Sequence, residues 1–477
     1  MISPEVKEFP LAMVGGTAFG RYAKISTEET FNMMISDETL VPLAGYKKIA
    51  DLGTVGRDLY VSNKNNHLFA VVDNNLFSIG ANNEVSEISQ LLTSTGDVFM
   101  AENDGNQIGI VDGLTVYTFN YSNNTFTAVS GLDFLPNYIA FQDGYFVASG
   151  PNTNGHTNEW RLSNLNDGNT WPNDASHLGL LQSKPDSTIA TVSFNRQLYI
   201  FGKTVTEIWY DTGYQLFPFQ RNNYYSIDFG CLNAATIAVG SILYGENNLV
   251  PLICWLATNE KAGPTIMYST GGQPSQLSTD GINFKIEQLQ HPEVAYGFIF
   301  RLAGHTFYQI VWPMDNLSYA YDFNIHKFVT VTDENLNFHI AKRVAFFNNK
   351  YYFLSSVDGA LYEMASDIYD YNGNEIPWIR KPPQFALPDA SPFITKYLDV
   401  TMQQGDSSTE QAIDLSLSSD GGISYGTTAR MELNTLGNRL NRFREWNLGL
   451  SNDFRTQFRF LGFDKFVVKN GLVGVYQ

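Results

Sequence analysis

Short apolar strand signals separated by turns of Asn, Asp and Gly recur along most of this chain, and this pattern constrains the fold more than any other feature. Asp-Gly and Asn-Asn pairs favour tight hairpin turns, so each such phrase predicts two antiparallel strands. The predicted hairpins span residues 68–79, 108–119, 138–148 and 343–354, and the last leads at once into a further turn and strand at 358–364. Repeated antiparallel units of this kind predict an all-β chain with a β-propeller-like body, whose blades run about 40–45 residues in well-known families.

No strict period and no repeated sequence tag accompany the hairpins, so a pair of β-sandwiches is the competing architecture. Aromatic residues make up 14% of the chain, with 34 Phe and 26 Tyr, and such residues suit the half-buried surface of a sheet in either fold. A chain of 477 residues is also too long for one ordinary core, which predicts two or three domains.

The pattern divides the chain into four segments. The first is Gly-rich and lacks the hairpin phrase, the third is rich in proline, which disfavours regular strand pairing, and the last alternates apolar and polar residues at 396–402 and 412–418. The predicted segments are an N-terminal arm at 1–40, a β-propeller-like body at 41–366, a linker at 367–395 and a C-terminal β-sandwich-like domain at 396–477.

The chain is acidic, with 48 Asp and Glu against 30 Lys and Arg and a formal net charge of −18. A protein that grips nucleic acid needs an excess of basic residues to neutralise phosphates, so this balance argues against such a role. It is compatible with a surface past which DNA slides, because an acidic wall repels the duplex. The simpler interpretation is that the charge keeps the protein soluble.

Cysteine usage and the N-terminal sequence bear on where the protein is made. Two cysteines, Cys231 and Cys254, cannot form a disulfide framework or a four-cysteine zinc site, and they suggest synthesis in a reducing cytoplasm. The first eight residues show no basic stretch followed by an apolar core, and no run approaches the roughly 20 apolar residues of a membrane helix. We therefore expect an unsecreted protein without a membrane-spanning segment.

The sequence offers little that could carry catalysis or hold a metal ion. It contains no HExxH, no phosphate-binding GxxxxGK[ST] loop and no G-x-S-x-G motif. Two oxygen-rich stretches, 164–169 and 370–375, lack the spacing of a calcium loop and are better explained as turns. Seven histidines are scattered along the chain: His67, His156, His177, His291, His305, His326 and His339. We predict that the protein is not an enzyme and has no catalytic, cofactor-binding or metal-ligating residues.

One local motif matches a known turn pattern better than chance would. Residues 418–425, with the sequence SSDGGISY, fit the Asp-box pattern S-x-D-x-G-x-x-aromatic, which resembles a turn of sialidase-type propellers and of other β folds. The carboxylate of Asp420 can accept backbone N–H bonds, Gly422 permits a positive φ, and Tyr425 can pack under the turn. The motif predicts a folding lock for a hairpin and not a catalytic site.

A series of segments, all in the same order, carries a resemblance to a known family. These segments are Tyr22, 32–33, 40–46, 56–60, 160–171, 183–186, 198–202, 207–210, 230–231, 263–279, 304–308, 321–322 and 398–426. Together they resemble the packaged-DNA stabilisation proteins of short-tailed bacteriophages, also called the tail hub or nozzle. The chain departs from a more conventional Pro-Gly at 43–45, where it has Leu-Ala-Gly.

This resemblance implies a homo-oligomer, a hexameric ring below the portal and its adaptor that retains packaged DNA and channels it during ejection. It also implies surfaces for a tail needle or plug and for tailspikes or fibres. Double-stranded DNA would pass through the channel without specific binding. The implied location is the virion tail, after synthesis in the host cytoplasm. The acidic balance adds our hypothesis of an acidic channel wall.

Two other classes of function remain open at this point. A carbohydrate-binding or glycan-hydrolysing β-propeller would account for the Asp-box and the many aromatic residues, and it would be favoured by a deep acidic pocket with stacked aromatic rings. A monomeric propeller scaffold for protein partners would not assemble into a ring.

Overall fold

The computed structural model describes residues 5–20, 28–214, 216–244, 248–404, 411–433 and 440–476, so Tyr22 lies outside the described residues. Strands dominate these residues, which include one α-helix, α1 (Asp280–Glu287), and one 3-10 helix, Ala234–Thr236. The all-β prediction is confirmed. The first five strands in the chain are β1 (Val6–Leu11), β2 (Glu29–Phe31), β3 (Met33–Ser36), β4 (Thr39–Pro42) and β5 (Gly45–Asp51).

The described residues between 45 and 365 form seven antiparallel blades, which confirms the propeller. The first three are β6 (Gly56–Ser62), β7 (His67–Val72), β8 (Asn75–Ile79), β9 (Val85–Gln90); β10 (Phe99–Glu102), β11 (Gln107–Val111), β12 (Val116–Asn120), β13 (Thr125–Ala128); and β14 (Tyr138–Gln142), β15 (Tyr145–Ser149), β16 (Glu159–Leu162), β17 (Leu178–Leu180). The fourth and fifth are β18 (Thr188–Phe194), β19 (Gln197–Gly202), β20 (Thr206–Asp211), β21 (Phe219–Ile227); and β22 (Gly230–Cys231), β23 (Ala238–Tyr244), β24 (Asn248–Thr258), β25 (Thr265–Ser269), β26 (Ser275–Gln276). The last two are β27 (Tyr296–Leu302), β28 (His305–Trp312), β29 (Leu317–Asp322), β30 (Lys327–Thr330); and β31 (Ala341–Phe347), β32 (Lys350–Ser355), β33 (Ala360–Ala365) with β5.

The ring closes through a strand from the N-terminal part of the chain. β5 pairs antiparallel with β33 and so becomes the outer strand of blade seven. The inner strands follow one another around the axis, and β31 of blade seven packs against β6 of blade one. Between blades four and five, the rings of Phe201 and Trp255 lie 5.4 Å apart. The propeller therefore has no open seam between its first and last blades.

The predicted hairpins form as expected, because their turn residues adopt the backbone that tight turns require. Asp143 and Gly144 have φ values of 47° and 92°, and Asn348 and Asn349 have 49° and 61°. Positive φ at both central residues is the condition for the two-residue turn whose twist matches a hairpin.

A β-sandwich follows the propeller, which confirms the predicted fold class. Its strands and those that lead to it are β34 (Asp370–Tyr371), β35 (Asn374–Glu375), β36 (Trp378–Lys381), β37 (Phe385–Ala386), β38 (Phe393–Gln404), β39 (Gln411–Ser418), β40 (Ala429–Leu433), β41 (Leu440–Ser451), β42 (Asp453–Leu461) and β43 (Phe466–Tyr476). One sheet has the order β3-β4-β43-β38-β41, with β1 on β43. The facing strands β36-β42-β39-β40 continue through β2 into blade six. Apolar side chains of both layers, such as Leu398, Val400 and Phe458, form the core between them.

The N-terminal arm lies on the same chain. β1 pairs with β43 along its whole length, and β2 lies between β30 and β36. The segment predicted as a linker holds the short strands β34 to β37, of which β36 and β37 pair with β42. The numerical boundaries of the four segments stay a prediction.

Candidate functional site: the propeller axis and the acidic face

The axis of the propeller is filled by side chains. The inner strands leave an open pocket of about 200 Å³, lined among others by Asp58, Tyr60, Phe99, Tyr138 and Arg343. These residues come from β6, β10, β14 and β31, which the ring order brings together from opposite ends of the body. A DNA duplex, whose major groove alone is about 12 Å wide, cannot pass through such a space. The axis of a single subunit is therefore not a DNA channel.

A buried ionic network holds the blades together at this axis. The guanidinium of Arg343 lies 3.3 Å from Asp58 of blade one, and its Nη1 donates to the carbonyls of Ala235 (2.7 Å) and Gly297 (2.9 Å). The neighbouring ammonium of Lys342 lies 2.7 Å from Asp97. Two adjacent cations on β31 thus tie blade seven to blades one and six, to the loop before blade two and to the 3-10 helix within blade five.

Burial shapes the protonation of these groups. It raises the pKa of Asp58 to about 6, although the nearby guanidinium of Arg343 opposes the rise. Burial also lowers the pKa of Lys342, against the attraction of Asp97. For Asp97, burial favours the neutral acid, but the ammonium of Lys342 outweighs it and the pKa is lowered. Sequence reasoning missed this network, for which the adjacent charged pairs 57–58 and 342–343 in otherwise apolar strands were the available signal.

Carboxylates from every blade lie on one side of the propeller. Because the strands of a blade alternate in direction, the loop before the first strand and the turn between the second and third strands lie on the same side. Asp73, for example, accepts hydrogen bonds from Thr54 N (2.9 Å) and Val55 N (3.1 Å) across that side. We call this side the acidic face, and its carboxylates are Asp73, Asp97, Asp112, Asp133, Asp186, Asp228, Glu260, Glu293, Asp315, Asp333, Glu334 and Asp358. Five of them form ion pairs, with Lys48, Arg161, Lys184 or Lys342.

One group of side chains has the composition of a catalytic triad without its geometry. His177 Nδ1 lies 2.8 Å from Ser176 Oγ and 2.9 Å from Asp174. A triad needs the nucleophile and the carboxylate on opposite nitrogens of the imidazole, so that one accepts the proton while the other is oriented. Here both partners meet the same nitrogen, and Asp174 also accepts from Ser176 Oγ (2.6 Å), so the group is a hydrogen-bonded turn.

Neither oxygen-rich stretch forms a metal site. Asp167 accepts from Asn169 N (3.0 Å) and Thr170 Oγ1 (2.7 Å), and Asp370 accepts from Gly373 N (2.7 Å), which is ordinary turn bonding. Across the described residues, no group of three or more His, Cys, Asp or Glu side chains could hold a metal ion. The described chain also has no helix with the length and apolar character that spanning a membrane requires.

The Asp-box forms the predicted lock between β39 and β40. The carboxylate of Asp420 accepts hydrogen bonds from Ile423 N (2.9 Å), Ser424 N (3.0 Å) and Ser424 Oγ (2.6 Å), while Ser418 Oγ accepts from Gly422 N (2.8 Å). These bonds hold the pKa of Asp420 far below its ordinary value. The turn belongs to the sandwich and lies outside the propeller.

Both cysteines are buried and free. Burial raises the pKa of Cys231 to about 12 and that of Cys254 well above its ordinary value. Neither thiol is activated as a nucleophile in this environment.

A closed seven-bladed propeller joined to a β-sandwich defines a β-propeller protein. The family model described as "Bacteriophage P22 Gp10, beta-propeller" matches residues 26–369, and the chain belongs to this family. It is a phage tail and DNA-stabilisation protein of the β-propeller type. The match ends at residue 369, so the resemblance of residues 398–426 stays a prediction.

No curated protein matches the sequence. Among solved structures, the chain is similar to U3-55K with 8% identity and a TM-score of 0.41, covering 67% of this chain and 98% of that one. It is similar to an inactive virginiamycin B lyase from Staphylococcus aureus with 10% identity and a TM-score of 0.45, covering 68% and 98%. For the N-terminal domain of Nup159 the values are 11% and 0.41, covering 74% and 99%. None of these likenesses bears on the activity of this chain.

Proposed function

We propose that the chain is the tail hub or nozzle subunit of a short-tailed phage. Six copies form a ring below the portal and its adaptor, retain the packaged DNA and channel it during ejection. The ring presents surfaces for the needle or plug and for tailspikes or fibres, and the subunit works without catalysis. The observation that carries this proposal is the family match over residues 26–369.

The filled axis supports a ring of several copies. Because a duplex cannot pass through one propeller, DNA that crosses this layer of the tail has to pass between subunits. The buried pair of Arg343 with Asp58, whose side chains are 12% and 9% exposed, keeps the axis closed, since its separation would leave charges unpaired in the interior. Each subunit is then a solid wall element.

The charge distribution supports a wall that does not adhere to DNA. We assign the channel lining to acidic surface of the propeller body that neighbouring copies leave uncovered, where carboxylates repel phosphates. Such a lining lets the duplex slide without specific binding, because binding requires release of counterions by basic residues. A structure of the ring whose channel-facing side chains are mainly Lys and Arg would contradict this assignment.

The test is a phage that lacks this protein, complemented by the wild-type gene or left uncomplemented. We expect uncomplemented particles to package their genome and then lose it, and complemented particles to keep it. Purified protein mixed with the portal–adaptor complex should add about six times the 53.5 kDa of one copy, measured by light scattering. Particles that retain DNA without the protein, or a chain that never joins the complex, would refute the proposal.

A further inference from the structure

The outer face of the β1-β43-β38-β41 sheet carries an exposed apolar row. Val6 is paired with Tyr476, Tyr476 with Ile394, and Ile394 with Leu450, so four neighbouring strands contribute one residue each. Ile394 is 48% exposed and Leu450 72%, and Trp446 on the same strand as Leu450 is 49% exposed. Exposed apolar residues that are contiguous in this way, and not scattered singly, mark contact surfaces. We call this set the sandwich patch.

The residues beside the row are held in fixed positions. The rings of Tyr397 and Trp446 lie 5.4 Å apart, and the guanidinium of Arg444 lies 3.7 Å from the centre of the Tyr397 ring and 4.8 Å from that of Trp446. Tyr397 lies directly over Gly474, where a Cβ would approach its ring to 2.5 Å. Asp399 accepts from Arg444 on two oxygens at 2.6 and 2.7 Å. A surface that is ordered before contact loses little entropy on binding.

The patch ends at an open strand edge. Among the described residues, β41 pairs with β38 on one side and with no strand on the other. The strand runs for 12 residues, from Leu440 to Ser451. A long exposed edge beside apolar side chains is a site that natural proteins cover.

The net charge is distributed unequally between residues 1–395 and residues 396–477, and this difference indicates what covers the patch. Residues 396–477 hold nine Lys and Arg and nine Asp and Glu, so the whole net charge of −18 belongs to residues 1–395. Two propeller bodies of this charge repel each other. The sandwich carries no net charge and does not share this repulsion, and the ammonium of Lys396 lies at the patch, 5.8 Å from the ring centre of Trp446 and 5.9 Å from that of Tyr476.

We propose that neighbouring copies of this chain join head to tail, with the sandwich patch of one copy seated on the acidic face of the next propeller. The inference rests on the proposed ring and assigns the surfaces that build it. A contact between two different surfaces leaves one of each free on every copy, so the contact repeats and closes into a ring. A patch-to-patch contact would instead stop at a dimer.

The test uses the full chain and two patch variants, Leu450→Asp and Ile394→Asp. The matched control is Leu165→Asp, which places the same charge on a leucine that is 59% exposed at a distant propeller loop. Ring formation is followed by light scattering over a range of concentrations, alone and with the portal–adaptor complex, and thermal melting checks that each variant is folded. We expect the midpoint concentration of assembly to rise at least tenfold for both patch variants and to stay unchanged for the control. Raising the salt from 50 to 500 mM should weaken assembly of the wild type.

Zero-length carbodiimide cross-linking of mixed 15N-labelled and unlabelled chains locates the contact. We expect intermolecular links from Lys396 to carboxylates of the acidic face. Two outcomes would overturn this interface but not the proposal of a ring. One is that Leu450→Asp forms rings as well as the wild type does. The other is that Lys396 is linked to Glu8 or Glu445 of another copy. A wild type that stays monomeric both alone and with the portal–adaptor complex would refute the ring itself.

Discussion

Replacing Arg380 should release the N-terminal arm from the body of the protein. Arg380 lies on β36 with its side chain fully buried, and it donates to the carbonyls of Ala12 (2.8 Å), Met13 (3.0 Å) and Gly16 (3.1 Å). It also donates to Thr30 Oγ1 at 3.1 Å and lies 2.5 Å from a carboxylate oxygen of Glu28. One side chain thereby bonds to both ends of the arm segment that precedes β2.

The expected loss of stability follows from the hydrogen-bond acceptors that would lose the guanidinium of Arg380 in Arg380→Ala. A buried carbonyl without a partner costs about 1–3 kcal/mol, and the carbonyl of the buried residue Met13 would lose the guanidinium. The carbonyl of Gly16 keeps the hydroxyl of Thr30 as a donor at 3.2 Å. Ala12 is exposed, so water can replace the guanidinium there. Glu28 loses its cation while its side chain is only 16% exposed. We expect a loss of about 3–5 kcal/mol in the free energy of unfolding, the range measured when one partner of a buried ion pair is removed.

The neighbouring residue provides a matched control. Lys381 lies 2.8 Å from Glu29, with the side chains 20% and 22% exposed, so Lys381→Ala should cost at most about 1 kcal/mol. Hydrogen exchange of residues 5–20 and 28–31, together with the melting temperature, measures both variants. Arg380→Ala should lose amide protection along the arm and melt well below the control. Equal melting temperatures and equal protection in the two variants would refute the argument that Arg380 anchors the arm.

Three further outcomes follow from the titrating groups and the Asp-box. Burial raises the pKa of Asp58 to about 6, above its value in the unfolded chain, so the contribution of Asp58 to stability is full below about pH 4 and is lost as the pH rises through 6. Asp58→Asn should remove about 2–3 kcal/mol of this pH dependence of the free energy of unfolding. The melting temperature of the variant should therefore change less between pH 4 and 7 than that of the wild type. Asp420→Ala should abolish hydrogen-exchange protection of Ile423 and Ser424 and leave the propeller unchanged. Cys231 and Cys254 should resist iodoacetamide at pH 8 and react once guanidinium unfolds the chain.

The local parts of the fold are predictable from the sequence because turn chemistry acts within a few residues. Asp143-Gly144 and Asn348-Asn349 are residue types that tolerate positive φ, and both pairs form the turns expected of them. The Asp-box is local in the same sense, since Asp420 bonds to groups within four positions.

The absence of a visible period has a structural reason. The hairpins at 68–79 and 108–119 are the second and third strands of their blades, whereas those at 138–148 and 343–354 are the first and second. The same sequence phrase therefore falls at different places in the repeat. Loops of very different length add to this effect, as between β16 and β17, where the chain runs from 163 to 177. Spacing between phrases could not reveal the number of blades.

The axis network and the clamp at Arg380 were not predictable, because their partners are far apart in sequence. Arg343 meets Asp58 across 285 positions, and Arg380 meets Glu28 across 352. No periodicity or spacing rule connects such residues. What the sequence did offer was the segregation of charge between residues 1–395 and 396–477, which becomes informative only when the acidic face and the sandwich patch are located.

The path of the first 51 residues makes the propeller and the sandwich one mechanical unit. β1 lies in the sandwich on β43, β2 joins blade six to β36, and β5 closes blade seven on β33. Because β33 ends at residue 365 and β43 at 476, the ring and the sandwich can close only after nearly the whole chain is available, which makes folding depend on long-range contacts. A force that pulls the two bodies apart has to break the pairing of β2 with either β30 or β36 within one continuous sheet. Arg380, which holds the segment before β2, is therefore the side chain whose loss should weaken that joint first.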